Sequence, residues 1–372
     1  MEKIAQSVED IIGKSPLLKL SGSLKNPPLG KWLKEEKGLQ ESQELAHGEL
    51  LAKLEFMNPG GSVKDRIALK MIDAAEERGD LKPGATIIES TSGNTGAGLA
   101  MLAAIRGYQA IFVMPDKISS EKINALRAYG AQVYVCPTHV APEDPKSYYS
   151  VAKKLVDETE SAFHANQYFN PDNPLAHYES TAPEIWDDCG GKLDYFICGI
   201  GTGGTVSGIG KYLKEKNPQL KVIAVDPLGS IYYDRICSGK EVEAHSYLVE
   251  GVGEDIIPST IDFSIIDDCV RVWDEESFSA TRMLAQKEGI LVGGSCGFAF
   301  YGALQYLQLE ESRGVRDYRA VVMLPDSGSR YLSKVFNPQW LNAHEVGGDW
   351  SDLKLGAAVH YVQDAKKIEG VE

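Results

Sequence analysis

The run Thr86-Ile87-Ile88-Glu89-Ser90-Thr91-Ser92-Gly93-Asn94-Thr95-Gly96 decides the fold class. It passes from a β-branched strand through a polar, glycine-broken loop into a helix-period segment over 95–106. The order repeats along the chain. Ala110-Ile111-Phe112-Val113-Met114, Gln132-Val133-Tyr134-Val135, Tyr195-Phe196-Ile197-Cys198, Val222-Ile223-Ala224-Val225 and Ala320-Val321-Val322-Met323-Leu324 read as further strands. Helical periodicity fills 64–78, 119–129, 205–216 and 275–288 between them. The segment 119–129 opens on Ser119-Ser120-Glu121 cap chemistry and stops at Gly130, a helix terminator. Such alternation argues an α/β chain whose parallel sheets are covered by helices. A polar, proline-containing stretch at 140–149 separates two alternating blocks and predicts a domain transition just beyond it. Residues 21–50, charged around Lys31-Trp32-Leu33-Lys34-Glu35-Glu36, read as a surface excursion, and the pattern fades beyond Trp340.

The 372 residues suit two domains of ordinary size, and 43% apolar with 24% charged residues is a globular composition. A net charge of −15 repels nucleic acid and anionic membranes, so neither is an expected partner. The six cysteines contain no C-x-x-C pair and the histidines stand apart, so no metal site is expected. Cys198 and Cys296, in apolar or glycine-rich surroundings, read as packing residues. Met1-Glu2-Lys3-Ile4 opens no signal-like apolar region, and no apolar run reaches membrane-spanning length. The expected location is cytoplasmic, with reduced thiols.

Three polar loops each follow a strand: 90–96 after Glu89, 199–205 after Cys198, and Pro325-Asp326-Ser327 after Leu324. Ligands of open α/β sheets gather beyond the carboxyl ends of strands, which places the site in a cleft where two sheets present those edges. In Gly199-Ile200-Gly201-Thr202-Gly203-Gly204-Thr205, glycines admit a phosphate to backbone N–H groups at a helix start. A dinucleotide fingerprint is the competing reading of that run, with Asp226 as its only support. Thr91-Ser92-Gly93-Asn94-Thr95 carries more polar groups than a helix cap needs, and suits a carboxylate. Lys64, in Asn58-Pro59-Gly60-Gly61-Ser62-Val63-Lys64-Asp65-Arg66, would alone be a surface charge. Beside these loops it becomes an amine that can condense with an aldehyde and move a proton. Ser295, in Gly293-Gly294-Ser295-Cys296-Gly297, offers a neutral hydroxyl to a ring nitrogen. Amine, hydroxyl/amide loop and phosphate cradle are together the parts that hold pyridoxal 5'-phosphate (PLP) and an amino acid.

With Ile12-Gly13-Lys14-Ser15-Pro16-Leu17, these motifs resemble the cystathionine β-synthase/cysteine synthase family of fold-type-II PLP enzymes over roughly residues 8–340. The resemblance implies two open, twisted, mainly parallel sheets of the tryptophan synthase β-like kind, with the active site in the inter-domain cleft. A smaller mobile domain is expected from 1–12 and 48–157, a larger phosphate-binding domain from 13–47 and 158–345, and a tail at 346–372. By the same resemblance Lys64 carries the Schiff base, Asn94 bonds the ring hydroxyl oxygen, and Ser295 faces the pyridine nitrogen. Gly201, Thr202, Gly203, Gly204 and Thr205 take the phosphate. Thr91, Ser92, Gly93, Thr95, Gln167 and Tyr168 take the substrate. Glu250 and Gly251 border the cleft mouth, where the acid is expected to pair with the ammonium of a second amino acid. A serine partner leaves the pyridine largely unprotonated, which suits β-elimination.

Within the family, several stretches look more like the cystathionine β-synthases. They are Met114-Pro115-Asp116-Lys117-Ile118-Ser119-Ser120-Glu121-Lys122, Asp226-Pro227-Leu228-Gly229-Ser230, Glu250-Gly251-Val252-Gly253 and Leu324-Pro325-Asp326-Ser327, and Asn173-Pro174-Leu175-Ala176-His177-Tyr178 agrees. Pro183-Glu184-Ile185-Trp186 and Arg330-Tyr331-Leu332-Ser333 are equally at home in cysteine synthases. The implied reaction joins L-serine and L-homocysteine into L-cystathionine and water through an aminoacrylate, with hydrogen sulfide release from cysteine as a side reaction. The rivals are a cysteine synthase using O-acetylserine and a non-catalytic scaffold, against which an intact Lys64 argues. No cysteine–histidine pair for haem precedes the core and no tandem regulatory module follows residue 345, so neither haem nor adenosylmethionine control is expected. Amino acids and thiols are the expected partners, and a homodimer the expected assembly.

Overall fold

The computed structural model describes residues 4–21, 27–28, 30–41, 45–141 and 143–347. Its strands in chain order are β1 (Leu17–Lys19), β2 (Glu49–Leu54), β3 (Thr86–Ser90), β4 (Gln109–Pro115), β5 (Gln132–Cys136), β6 (Ala162–His164), β7 (Tyr195–Gly199), β8 (Lys221–Pro227), β9 (Asp268–Val272) and β10 (Arg319–Leu324). They form two sheets, ordered β1-β2-β10-β7-β8-β9 and β5-β4-β3-β6. Only β1 runs antiparallel to its neighbour. β8 is buried from Val222 through Pro227, as a strand covered on both faces must be. Each sheet has its own apolar core. Phe196, Ile197, Val222 and Phe298 belong to the larger, and Ile67, Met71, Ile87, Leu99 and Phe112 to the smaller.

Sheet membership departs from the expected boundaries at two strands. β2, expected with the smaller body from 48 onward, pairs with β10 along its whole length, from Glu49 opposite Arg319 to Leu54 opposite Leu324. It fills the slot between β1 and β10 in the larger sheet. β6, which follows the expected boundary at 157, pairs with β3, so the chain completes the smaller sheet before leaving it. The 21–50 region also differs from a surface excursion. Trp32 and Leu33 are buried in the larger core, and Trp32 Nε1 donates to the Tyr233 hydroxyl at 3.2 Å. From residue 348 onward the expected tail lies outside the described residues.

The helix Lys64–Arg78 occupies its expected span and ends on left-handed Gly79. Two of the longer helices are not evident from periodicity. Gly294–Ser312 is buried from its first residue to Glu311, so it has no polar face to set a period. Tyr148–Glu158 begins on a Ser147 cap inside the stretch read as a domain transition. No helix among the described residues is long and apolar enough to cross a membrane, and none of their His, Cys, Asp and Glu cluster as metal ligands.

Candidate active site

A cavity of about 1080 Å³ opens where loops from the carboxyl ends of both sheets meet. Lys64, Ser92, Asn94, Thr95, Gln167, Tyr168, Gly201, Thr202, Gly203, Thr205, Glu250, Gly251 and Ser295 all line it. Thr91, Gly93 and Gly204 are not among its lining residues.

Lys64 stands on the seam between the sheets. Its helix packs into the smaller core, while the turn before it is stitched to the end of β10. Val63 N donates to Pro325 O at 2.8 Å and Ser327 N to Gly61 O at 3.2 Å. The Lys64 ammonium makes no hydrogen bond or ion pair among the described residues. Burial pushes it down to about 8, against the opposing pull of Glu254, Cys198 and Asp326. Burial also pushes the Cys198 thiol up to about 12, so it serves as packing beside the lysine.

On the larger sheet, β7 runs into the glycine loop and the helix Gly204–Lys216. The backbone N–H groups of residues 201 to 206 donate to no acceptor among the described residues. A row of free amides at the start of a 13-residue helix is an anion site. The glycines are also required by packing. A Cβ on Gly201 would sit 2.8 Å from Gly251 O, and one on Gly204 would collide with Asn173 Oδ1. Gly203, at φ 83°, faces Ile261 and takes a conformation that costs other residues. Thr205 Oγ1 lies 3.2 Å from His177 Nε2, and burial with nearby Lys64 and Arg66 keeps that imidazole neutral.

On the smaller sheet, β3 delivers a second such loop. The N–H groups of Ser92, Asn94 and Thr95 have no acceptor among the described residues. Thr91 turns inward instead: its hydroxyl accepts from Gly93 N at 3.0 Å and Gly96 N at 3.3 Å, shaping the loop. Gly93 leaves room for Lys122, whose Cδ would lie 2.7 Å from a Cβ there. Thr95 Oγ1 donates to Gln167 Oε1 at 2.6 Å, and Gln167 Nε2 to Ser90 O at 3.2 Å. Buried Glu89, pushed up to about 8 by desolvation, accepts from Asn166 N and Gln167 N underneath.

Asp326 joins these parts, and sequence reasoning gave it no role. It accepts from Asn94 Nδ2 at 2.7 Å and the Tyr331 hydroxyl at 2.5 Å, with Ser295 Oγ at 3.5 Å. Its signal was its place in the third strand-end loop. Tyr148 and Tyr149 also line the cavity, and were hidden because their helix was read as a boundary. Glu250 requires a correction. Its carboxylate is already held by Lys122 Nζ at 2.8 Å and Lys334 Nζ at 2.5 Å, so it is no free anchor for a substrate ammonium.

PLP fits these residues. The unpaired lysine suits its aldehyde, and the amides of 201 to 206 its phosphate. The second Asn94 amide proton and the Ser295 hydroxyl suit its ring oxygen and nitrogen.

The family model described as "Pyridoxal-phosphate dependent enzyme" matches residues 8–326. A cystathionine beta-synthase of Apis mellifera is 47% identical over 95% of this chain and 67% of that protein. The chain spans only about half, 51%, of other curated cystathionine beta-synthases at 48% identity. Among solved structures, a hydrogen sulfide-producing enzyme from Fusobacterium nucleatum shares 38% identity at TM-score 0.77, covering 88% of this chain and 100% of that one. An O-acetylserine dependent cystathionine beta-synthase from Helicobacter pylori shares 37% at TM-score 0.75, covering 90% and 99%. The two helix-covered parallel sheets are thus the fold-type-II architecture, and the chain belongs to the pyridoxal-phosphate dependent enzyme family, with pyridoxal 5'-phosphate as its cofactor.

Proposed function

We propose that this chain is a β-replacement lyase that exchanges the hydroxyl of L-serine for the thiol of L-homocysteine, giving L-cystathionine and water. The observation that carries the reading is one unpaired, half-buried lysine between two rows of unbonded backbone N–H groups, one row from each sheet. When bound, the cofactor supplies an electron sink conjugated to the substrate amine. Lys64 holds it, and once displaced by substrate moves the proton at the α-carbon; an amine near 8 is matched to that transfer at neutral pH. The amides of 201 to 206 and the Thr205 hydroxyl grip the phosphate. Ser92 and Thr95, with the free N–H groups of their loop, orient the substrate carboxylate. Asn94 bonds the ring oxygen while Arg330 Nη1 fixes its Oδ1 at 3.1 Å. Ser295 presents a neutral hydroxyl to the ring nitrogen. Tyr148 and Tyr149, their rings 4.0 Å apart, close one wall against water.

A second donor, O-acetylserine, is favoured by the likeness to the O-acetylserine dependent enzyme of Helicobacter pylori, and sulfide release by the likeness to the hydrogen sulfide-producing enzyme of Fusobacterium nucleatum. A cytoplasmic homodimer of cysteine-forming metabolism completes the reading. Six free cysteines, five of them buried, suit a reducing compartment, and sedimentation will test the dimer. The deciding assay offers serine with homocysteine, O-acetylserine with homocysteine, and O-acetylserine with sulfide, with products identified by mass. Cystathionine formed from serine is the expected result. Cysteine from the third mixture, without cystathionine from either other, overturns it.

A further inference from the structure

Glu250 is consumed by two lysines, which leaves the cavity with another acid to account for. Glu254 lies four residues further on, past the turn of Gly251 and Gly253, and lines the same cavity. Its backbone is pinned: Glu254 N donates to Ser230 Oγ at 3.1 Å, and its carbonyl accepts from Ile231 N at 3.2 Å. Its carboxylate makes no hydrogen bond or ion pair among the described residues. Tyr148, Tyr149, Tyr168 and Tyr247 line the cavity with it, and its charge acts on all four hydroxyls. An acid with no salt bridge among the described residues, set among tyrosine rings, is a setting for an ammonium, which the carboxylate neutralises and the ring faces attract. One of these rings already receives one. Lys117 Nζ rests 5.2 Å from the centre of Tyr247.

We propose that Glu254 binds the α-ammonium of the incoming nucleophile, and so selects an amino thiol over sulfide or a simple thiol. The inference rests on the β-replacement reading and names the residue that chooses its second substrate. The charged groups facing Glu254 are Lys64 and Lys117, which favour its ionised form, and Asp255 and Asp226, which oppose it. Burial first, and then Asp255, pushes its carboxyl up to about 8. An arriving ammonium reverses that balance and ionises it, while at lower pH the proton competes with the ligand.

The test compares wild type with Glu254→Gln and Glu254→Asp as holoenzymes, each offered homocysteine, 3-aminopropanethiol, 4-mercaptobutyrate and sulfide beside a fixed β-donor. These nucleophiles carry both charged groups, the ammonium alone, the carboxylate alone, and neither. In Glu254→Gln, selectivity for homocysteine over 4-mercaptobutyrate should fall roughly ten- to hundredfold through KM, the size expected for one lost charge-assisted contact. The 3-aminopropanethiol preference should fall with it, and Glu254→Asp should recover part of both. The wild-type advantage over Glu254→Gln should shrink as pH falls below about 8. An equal loss with all four nucleophiles overturns the assignment and makes Glu254 architectural or a general base. Unchanged selectivity overturns it as well. A wild type that uses sulfide but no amino thiol refutes the proposed reaction together with this inference, whereas an ammonium preference that survives Glu254→Gln overturns the inference alone and leaves the reaction standing.

Discussion

A carboxylate that opens a glycine-rich turn at a cleft mouth invites assignment as a ligand anchor, and Glu250 has that setting without that freedom. The Glu250 side chain is 3% exposed and that of Lys122 0%, so the pair is fully withdrawn from water. Breaking one side of such a pair strands a buried charge and costs about 3 kcal/mol. Glu250→Gln should therefore destabilise the protein by that order, read as a lower urea midpoint at unchanged slope. Burial pushes the Glu250 carboxyl up, but Lys122 and Lys334 outweigh it, leaving its pKa below the ordinary 4.5. A depressed folded-state pKa means the stabilisation is complete above 4.5 and is lost as pH falls through the lower folded value. Wild type and Glu250→Gln should accordingly differ most above pH 4.5 and converge in stronger acid. A constant gap down to acid pH would show that the ion pairs are not its source. Lys64 was legible in sequence because its neighbours were motifs. The pairing of Glu250 was not, since Lys122 and Lys334 lie 128 and 84 positions away in the chain.

At the scale of elements, the two strand–loop–helix units differ in how their loops are held, and that difference decides which substitutions are informative. Gly203 cannot report on a phosphate, because φ 83° and the nearby Ile261 would perturb the fold before any ligand is considered. Thr205 can. Its hydroxyl faces the cavity and has one hydrogen-bond partner among the described residues, His177 Nε2 at 3.2 Å. Thr205→Val keeps the shape and removes the donor, so cofactor affinity should fall about five- to tenfold, one hydrogen bond's worth, with little change in melting temperature. Titrating cofactor-stripped protein with PLP and following visible absorbance checks this. An unchanged affinity would remove Thr205 from the phosphate site. Strands flanked by such loops are readable because short β-branched, apolar runs bounded by turn residues mark them locally. The helix Gly294–Ser312, which carries Ser295, was not readable because burial on every side erases its periodicity. β1 and β6, three residues each, are too short to show a period and exist through their partners β2 and β3.

For the whole molecule, the contrast is between two dry cores and a polar seam. The smaller body meets the larger near the cavity through Ser119 Oγ to Arg330 O at 2.7 Å, Ser333 Oγ to Glu121 Oε2 at 2.8 Å, and the Lys122–Glu250 pair. Polar contacts of this kind hold two bodies without fusing their cores, and relative motion is the expected behaviour. The cavity reaches across that seam, with Ser92, Asn94 and Thr95 on one side and Gly201, Thr202, Gly203, Thr205 and Val206 on the other. An amino acid held by the first loop and by a group seated on the second would draw the two sheets together. Such closure expels water and strengthens each charged contact inside. Adding L-serine to the holoenzyme should therefore slow amide exchange beyond the contacting loops, in the helix Ser120–Ala128 and in residues 138–141 at the cavity rim. Protection confined to residues 90–96 and 199–206 would show that the substrate binds between rigid bodies. The polar seam would then be a fixed joint, and the cavity would keep its width through turnover.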